Sequence, residues 1–322
     1  MLFHIFVTTI IPILVMVGFG FAMDRKFRLD MPTLSHLNFY IVSPAFMFIY
    51  LYEAKYNEES LQVLVFTVLS TLVIGIGCIV LEKLFGFSEA KGGILRNAIL
   101  FNNCGNIGIP LVSFIYTNTP YLDAMGAPTF LHIAITVQIV ILVFQNIVTN
   151  SLGFYFAGKG ILSTGDAIRV VLRMPIIYTV ILGISLNLAQ IDIHNWFIWP
   201  VVKTFGDALI AVALFTLGVQ LARTPFNFFQ RDVLVGCFGR LVMAPILTVV
   251  CLLAYGYIHT FNNTINQVLL ISAAVPSGVT TALIAAAMKN HPEYGTQLVV
   301  ATTVISSITL PFIILLAHEL YG

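Results

Sequence analysis

Windows of about 20 mostly apolar residues recur ten times along this 322-residue chain, with only short polar gaps between them. The candidate spans are 2–22, 33–52, 61–85, 94–116, 128–157, 168–190, 200–222, 231–256, 265–288 and 294–320. Backbone in lipid must satisfy its own hydrogen bonds, and spans of this length do so as helices. The chain is 59% hydrophobic and 9% charged, with mean hydropathy +0.97, whereas soluble domains average roughly 25% charged residues. These figures predict an all-α membrane protein with the lipid bilayer as its surroundings. The longest polar gap, Gly158 to Asp166, is too short for a soluble domain, so one membrane domain is expected. The N-terminus lacks a basic n-region and a small-residue cleavage site, which reads as a retained first span.

Two of the spans are interrupted. Asn102-Asn103-Cys104-Gly105-Asn106-Ile107-Gly108-Ile109-Pro110 puts three amides, two glycines and a proline where lipid demands continuous helix. Ala273-Ala274-Val275-Pro276-Ser277-Gly278-Val279-Thr280-Thr281 does the same in the second half. Broken helix at membrane depth is tolerated where it is buried in protein or lines a watery cavity. A pair of interruptions at corresponding places in two halves points to the binding site of a secondary transporter.

The lysines and arginines orient the chain. Arg25, Lys26, Arg28, Lys83, Lys91, Arg96, Lys159, Arg169, Arg173, Arg223, Arg231 and Lys289 all follow odd-numbered spans, while Lys55 and Lys203 follow even ones. Odd loops are thereby expected in the cytoplasm and both termini outside it, in a multi-pass cell (inner) membrane protein. Trp196, Trp199, Tyr255, Tyr257 and Tyr321 fall near the outer ends, as an aromatic belt does. The halves also carry matching marks. Pro12 and Gly20 are spaced like Pro175 and Gly183, Pro44–Phe48 parallels Ala213–Leu217, Gly105-Asn106 aligns with Pro276-Ser277, and Gly126 aligns with Gly295. Five spans per half is odd, so the copies run in opposite senses: a 5+5 inverted repeat, with residues 1–157 and 168–322 as its halves and 158–167 as a cytoplasmic linker.

The runs Asn103–Leu111, Ala213–Leu221, Arg240–Pro245 and Ala274–Gly278 carry a resemblance to a known family. The sequence resembles the auxin efflux carrier family in its bacterial membrane transport branch, with the Gly-Asn-x-Gly-x-Pro pattern at Gly105–Pro110 the most specific match. The resemblance implies ten transmembrane helices, with spans 4 and 9 unwound and crossing at the centre, similar to bile acid–sodium symporters. It further implies organic anions as solutes, auxin-like acids or dicarboxylates such as malate, possession of Pro276 as a crossover residue, and a homodimer. Span 4 departs from the proline pattern, with Gly105-Asn106 where span 9 has Pro276-Ser277. The long loop of plant members is absent.

Crossing half-helices aim bare N–H groups at the centre, which favours an anion. The expected solute-binding set is Asn102, Asn103, Gly105, Asn106, Gly108, Pro110, Pro276, Ser277, Gly278, Thr280 and Thr281. The alternative for the polar members is that they tie helices together. Arg240 lies nine residues after Arg231, roughly 13 Å deeper along a helix, and charge at that depth costs at least ~2.5 kcal/mol. It either steers an anion inward or snorkels and binds carbonyls freed by a broken helix. Asn38, Ser43, Pro44 and His132 are further cavity-lining candidates. His132 reads as a proton sensor or as a packed, hydrogen-bonded histidine. Gln138, Gln145 and Asn146 give no clean stripe with His132 and read as interhelical glue.

The four cysteines fall in apolar segments without metal spacing, so neither metal nor cofactor is expected, and a net charge of +1 gives no reason to expect nucleic acid. No Walker loop, His-Glu metal motif or nucleophile elbow is present, so no enzyme is expected. All 14 acids lie in loops or near span ends, with Glu82 and Asp207 the most embedded. Cation exchangers usually carry membrane acids. The reading is a carrier of a small organic anion working by alternating access. The alternatives are a sodium- or proton-coupled carrier of similar fold, its cation held by main-chain ligands, and a non-transporting receptor.

Overall fold

The computed structural model describes residue 7 and residues 11–53, 58–119, 121–122, 125–158, 175–223 and 229–322. Lys55, Asp123, Lys159, Arg169, Arg173, the linker beyond Gly158 and the first residues of spans 1 and 6 lie outside them. Among the described residues the chain is helical and forms no strand. Glu58–Phe85, Leu131–Val148, Arg231–Tyr255 and Pro292–Tyr321 are each long and apolar enough to cross a bilayer. The remaining apolar stretches hold shorter or interrupted helices.

We label the helices in chain order. Helix α1 is Ile11–Phe27, α2 runs over 31–53 and α3 is Glu58–Phe85. The fourth is split into α4a, Glu89–Leu100, and α4b, over 104–116. Helix α5 covers 131–157, α6 is Pro175–Leu188, and α7 is a bent pair, Trp199–Asp207 and Leu209–Arg223, with 41° between its parts. Helix α8 covers 231–255. The ninth is split into α9a, Asn263–Ala274, and α9b, Val279–Ala287, and α10 is Pro292–Tyr321.

Wide π-type turns recur at Asn38–Val42, Cys104–Gly108 and Gly239–Met243. In each case a proline follows two residues on: Pro44, Pro110 and Pro245. Proline has no N–H, and its ring clashes with the carbonyl four residues back. Opening the preceding turn by one residue lets the helix continue past it. Pro44 of α2 is accommodated in this way.

Two groups of helices pack separately. In the first, α1 lies on the second part of α7, and α6 lies on α2. The approach is close enough to exclude side chains. A Cβ on Gly20 would fall 2.0 Å from the Phe215 carbonyl oxygen, and one on Gly218 would fall 1.9 Å from that of Val17. Gly183 faces Phe48 and Leu51 of α2 in the same manner, and Asn187 donates to the Tyr52 carbonyl. Small residues at such crossings are what lets apolar helices associate in lipid, where there is no hydrophobic drive between them. In the second group α3 packs on α5 and α8, α8 on α9a, α9a and α9b on α10, and α4b on α5. The groups meet where α7 touches the Cys104–Gly108 turn and α2 touches α5.

Ion pairs sit at the helix ends. Glu82 binds Arg96, Lys91 binds Asp232 and Lys203 binds Asp207. Arg223 at the end of α7 donates from Nε to Asp24 Oδ2 of α1 at 3.0 Å. That hydrogen bond holds the Asp24 carboxyl below its ordinary value. A lowered carboxyl adds stability above the unfolded-state pKa, about 3.9, and loses it as pH falls through the lowered value. Asp24→Asn should therefore unfold below the wild type at pH 7, with the gap narrowing under acid of about pH 4. Thermal unfolding in detergent across pH checks this. Gly218→Leu should destabilise by about 1–3 kcal/mol or more, read as a lower unfolding midpoint of the purified protein.

Candidate functional site

The two helix breaks touch each other. Helix α4a ends at Leu100, Phe101 turns extended (φ −106°, ψ 106°), and Asn103 starts the next helix. Helix α9a ends at Ala274, Val275 turns extended (φ −61°, ψ 139°), and Val279 starts α9b. Asn102 and Ser277 lie opposite one another as an isolated antiparallel pair. The Asn103 N–H donates to the Pro276 carbonyl at 2.7 Å, and the Gly278 N–H to the Phe101 carbonyl at 2.8 Å. Gly278 is needed at this approach, since a Cβ there would stand 3.0 Å from the Asn102 oxygen.

A helix that stops leaves its last carbonyls without partners inside it, and in lipid each such group costs several kcal/mol. Side chains from α5, α8 and the two breaks themselves supply the partners. For α4a, Ser277 Oγ donates to Ala98 O at 2.7 Å, Arg240 to Ile99 O, and Gln145 Nε2 to Leu100 O at 3.2 Å. For α9a, Asn102 Nδ2 donates to Ser272 O at 2.7 Å and Arg240 to Ala273 O. Gln138 Nε2 donates to Cys104 O at 3.0 Å. On the starting side, Asn103 caps α4b: its Oδ1 accepts from Asn106 N at 3.2 Å. Thr302 Oγ1 accepts from Ser277 N at 3.2 Å.

A cleft opens beside the crossing, at the seam between the two helix groups. It is narrow, with about 60 Å³ of cavity volume inside a wider opening to solvent. Its walls are Phe101 to Asn106, Gly278 to Thr281, Leu142, Gln145, Asn146 and Thr149 of α5, Ser43, Phe46 and Met47 of α2, and Leu209 of α7. Among the described residues no charged side chain lines it. The N-terminal turns of α4b and α9b do, together with neutral amides and hydroxyls. Helix N-termini carry partial positive charge and free N–H groups, so the wall suits a negatively charged oxygen group.

Of the residues picked from sequence, Asn102, Asn103, Gly105, Asn106, Gly278, Thr280, Thr281 and Ser43 line this cleft. Asn38 stands one bond behind it: Ser43 Oγ donates to Asn38 Oδ1 and Asn38 Nδ2 to Asn106 Oδ1, each at 3.2 Å. Pro44, Gly108, Pro110, Pro276 and Ser277 are not in the wall. Gly108 is a packing glycine, because a Cβ there would fall 2.4 Å from Gln138 Nε2. Ser277, fully buried, is spent on Ala98. His132 is exposed at the start of α5 and lines a separate cavity with Glu59, Ser60 and Thr136. Arg240 is 1% exposed and lines a smaller cavity on the other side of the crossing, with Asn102, Gln145, Ser272 and Ala273. Among the described residues no cluster of metal-ligating side chains occurs.

The break in the fourth helix lies at Phe101–Asn103, ahead of Gly105-Asn106, which fall in the first turn of α4b. Glycine is tolerated there because first-turn N–H groups need no intrahelical partner. Gln138 and Gln145, expected to tie helices together, do so through the Cys104 and Leu100 carbonyls, whereas Leu142 and Thr149 of the cleft wall carry no such mark of their own in the sequence. Gln138, Gln145 and Thr149 follow a 7-then-4 spacing, one helical face, and the signal was obscured by including His132. Gln145→Leu should strand the Leu100 carbonyl and cost about 1–3 kcal/mol. Thermal unfolding of the purified variant reads this out.

Several apolar spans, and two interrupted helices sewn together beside a cleft, are the build of a multi-pass helical membrane protein. A family model described as membrane transport protein matches residues 5–161 and 161–314. The chain therefore belongs to the membrane transport protein family, the auxin efflux carrier family. A comparison with curated proteins finds no match.

Proposed function

We propose that the protein is a secondary carrier of a small organic anion, a mono- or dicarboxylate such as malate or an auxin-like acid, held at the crossing. The observation that carries this reading is the cleft wall: two helix N-termini and neutral amides, with no charged side chain among the described residues. The Asn106 side-chain amide, Thr280 and the first-turn N–H groups of Cys104, Gly105, Val279 and Thr280 hold the carboxylate, and Phe46, Met47, Phe101 and Leu142 take its apolar remainder. The site is neutral in side-chain charge, so the field comes from helix ends. Arg240, behind the crossing, adds to that field at a distance, since its terminal nitrogens are held by carbonyls.

The reciprocal packing supports a 5+5 inverted repeat of ten spans: α1 lies on α7 as α6 lies on α2. On this reading the group containing α1, α2, α6 and α7 is the frame. The group containing the crossing moves against it and opens the cleft to either side in turn. Odd loops face the cytoplasm and both termini the outside of the cell membrane. No catalytic step is part of this account.

Purified protein in liposomes should take up labelled malate or indole-type acid, each tested separately. Asn106→Leu and Thr280→Val, both in the cleft wall, should each lower the uptake rate at least tenfold while leaving insertion and folding intact. Uptake by either variant at the wild-type rate would overturn the site assignment.

A further inference from the structure

The crossing has four helix ends, and they divide by sign. The starting ends of α4b and α9b face the cleft. The finishing ends of α4a and α9a carry the partial negative charge of a helix C-terminus. These converge on one group, the Arg240 guanidinium, which gives one nitrogen to Ile99 O and another to Ala273 O. Arg240 is 1% exposed, and among the described residues no carboxylate pairs with it. The backbone of α8 is pressed against α4a at this level: a Cβ on Gly239 would lie 2.4 Å from Ile99 Cδ1. A guanidinium is a permanent cation, and among the described residues the groups that face its charge are two oriented helix ends.

Half-helix C-terminal ends and unwound carbonyls are the groups with which carriers of this construction hold a coupling cation. We propose that Arg240 is a tethered cation filling that seat. It supplies through a covalent link the charge that a bound sodium ion would supply, so the protein works its crossing with no sodium bound there. This rests on the carrier reading above. It deepens that reading by assigning the coupling: the anion is not drawn in by sodium held at the crossing.

The test needs no solute, so its failure is distinct from failure of the carrier reading, which liposome uptake decides. Full-length protein in detergent is unfolded thermally in sodium chloride, choline chloride, or choline chloride with millimolar guanidinium chloride, at constant ionic strength. The wild type should show the same midpoint in all three. Arg240→Ala should unfold about 5 °C lower or more, and sodium or guanidinium should raise its midpoint saturably. If Arg240→Ala cannot be recovered, Arg240→Lys and Arg240→Gln take its place. The charged variant should keep a near wild-type midpoint, and the neutral one should fall well below it and be raised by guanidinium. Saturable stabilisation of the wild type by sodium over choline would overturn the proposal. So would an Arg240→Ala protein as stable as wild type and indifferent to the cation, or equal stability of the Lys and Gln variants.

Discussion

Everything in the molecule follows from how two stopped helices are allowed to end inside lipid. Each leaves carbonyls that would otherwise face a medium with no donors. The chain solves this by making the two ends face one another. Two backbone hydrogen bonds, Asn103 to Pro276 and Gly278 to Phe101, join the breaks directly. Ser277, Arg240, Gln145 and Asn102 donate to the carbonyls that remain. The finishing ends are consumed in this way. The starting ends of α4b and α9b are satisfied in part, by the Asn103 cap on Asn106 N and by the bonds of Asn103 N and Gly278 N across the crossing, and Cys104, Gly105, Val279 and Thr280 of their first turns lie along the cleft.

The surrounding helices divide the labour accordingly. Helices α3, α5, α8 and α10 pack against the broken pair, and α5 and α8 supply the side chains that satisfy it. Helices α1, α2, α6 and α7 are held to each other by glycine-mediated contact and by polar side chains such as Asn187. The cleft lies between the groups, with Ser43, Phe46, Met47 and Leu209 on one wall and the crossing on the other. Motion of one group against the other would change which side the cleft opens to without unpicking the carbonyl contacts within the crossing. The Asn38–Asn106 bond links a polar side chain of α2 to the broken pair, and neutral single hydrogen bonds of this kind are modest in net energy, roughly 0.5–1.5 kcal/mol.

Much of this was legible from sequence. The apolar windows fix helices, because lipid permits little else, and amides, glycines and prolines within such windows mark the interruptions. Asn102, Asn103, Asn106, Thr280 and Thr281 were found on that ground alone, and they line the cleft. The position of the break was less legible. Gly105 and Asn106 look like the break, yet Asn103 caps the helix and lets them enter its first turn. Gln138 and Gln145 were legible as glue but not as partners of particular carbonyls, because the group they bind is backbone from a helix distant in sequence. Arg240 was left between two roles for the same reason: a charge in a span signals a partner, but the Ile99 and Ala273 carbonyls carry no sequence mark. Gly20 and Gly183, singled out as matching marks of two halves, are the contact points of α1 on α7 and of α6 on α2.

The meeting of the two breaks is open to a direct test. Asn102 and Ser277 face each other as a pair whose neighbours, not they themselves, exchange the backbone bonds, the closer of the two antiparallel arrangements. With Cys78, Cys104, Cys237 and Cys251 replaced, a chain carrying Asn102→Cys and Ser277→Cys would be oxidised in membranes and cut at a protease site placed between the halves. The account predicts that the two fragments remain joined until a reductant is added. Fragments that separate without reductant would contradict it.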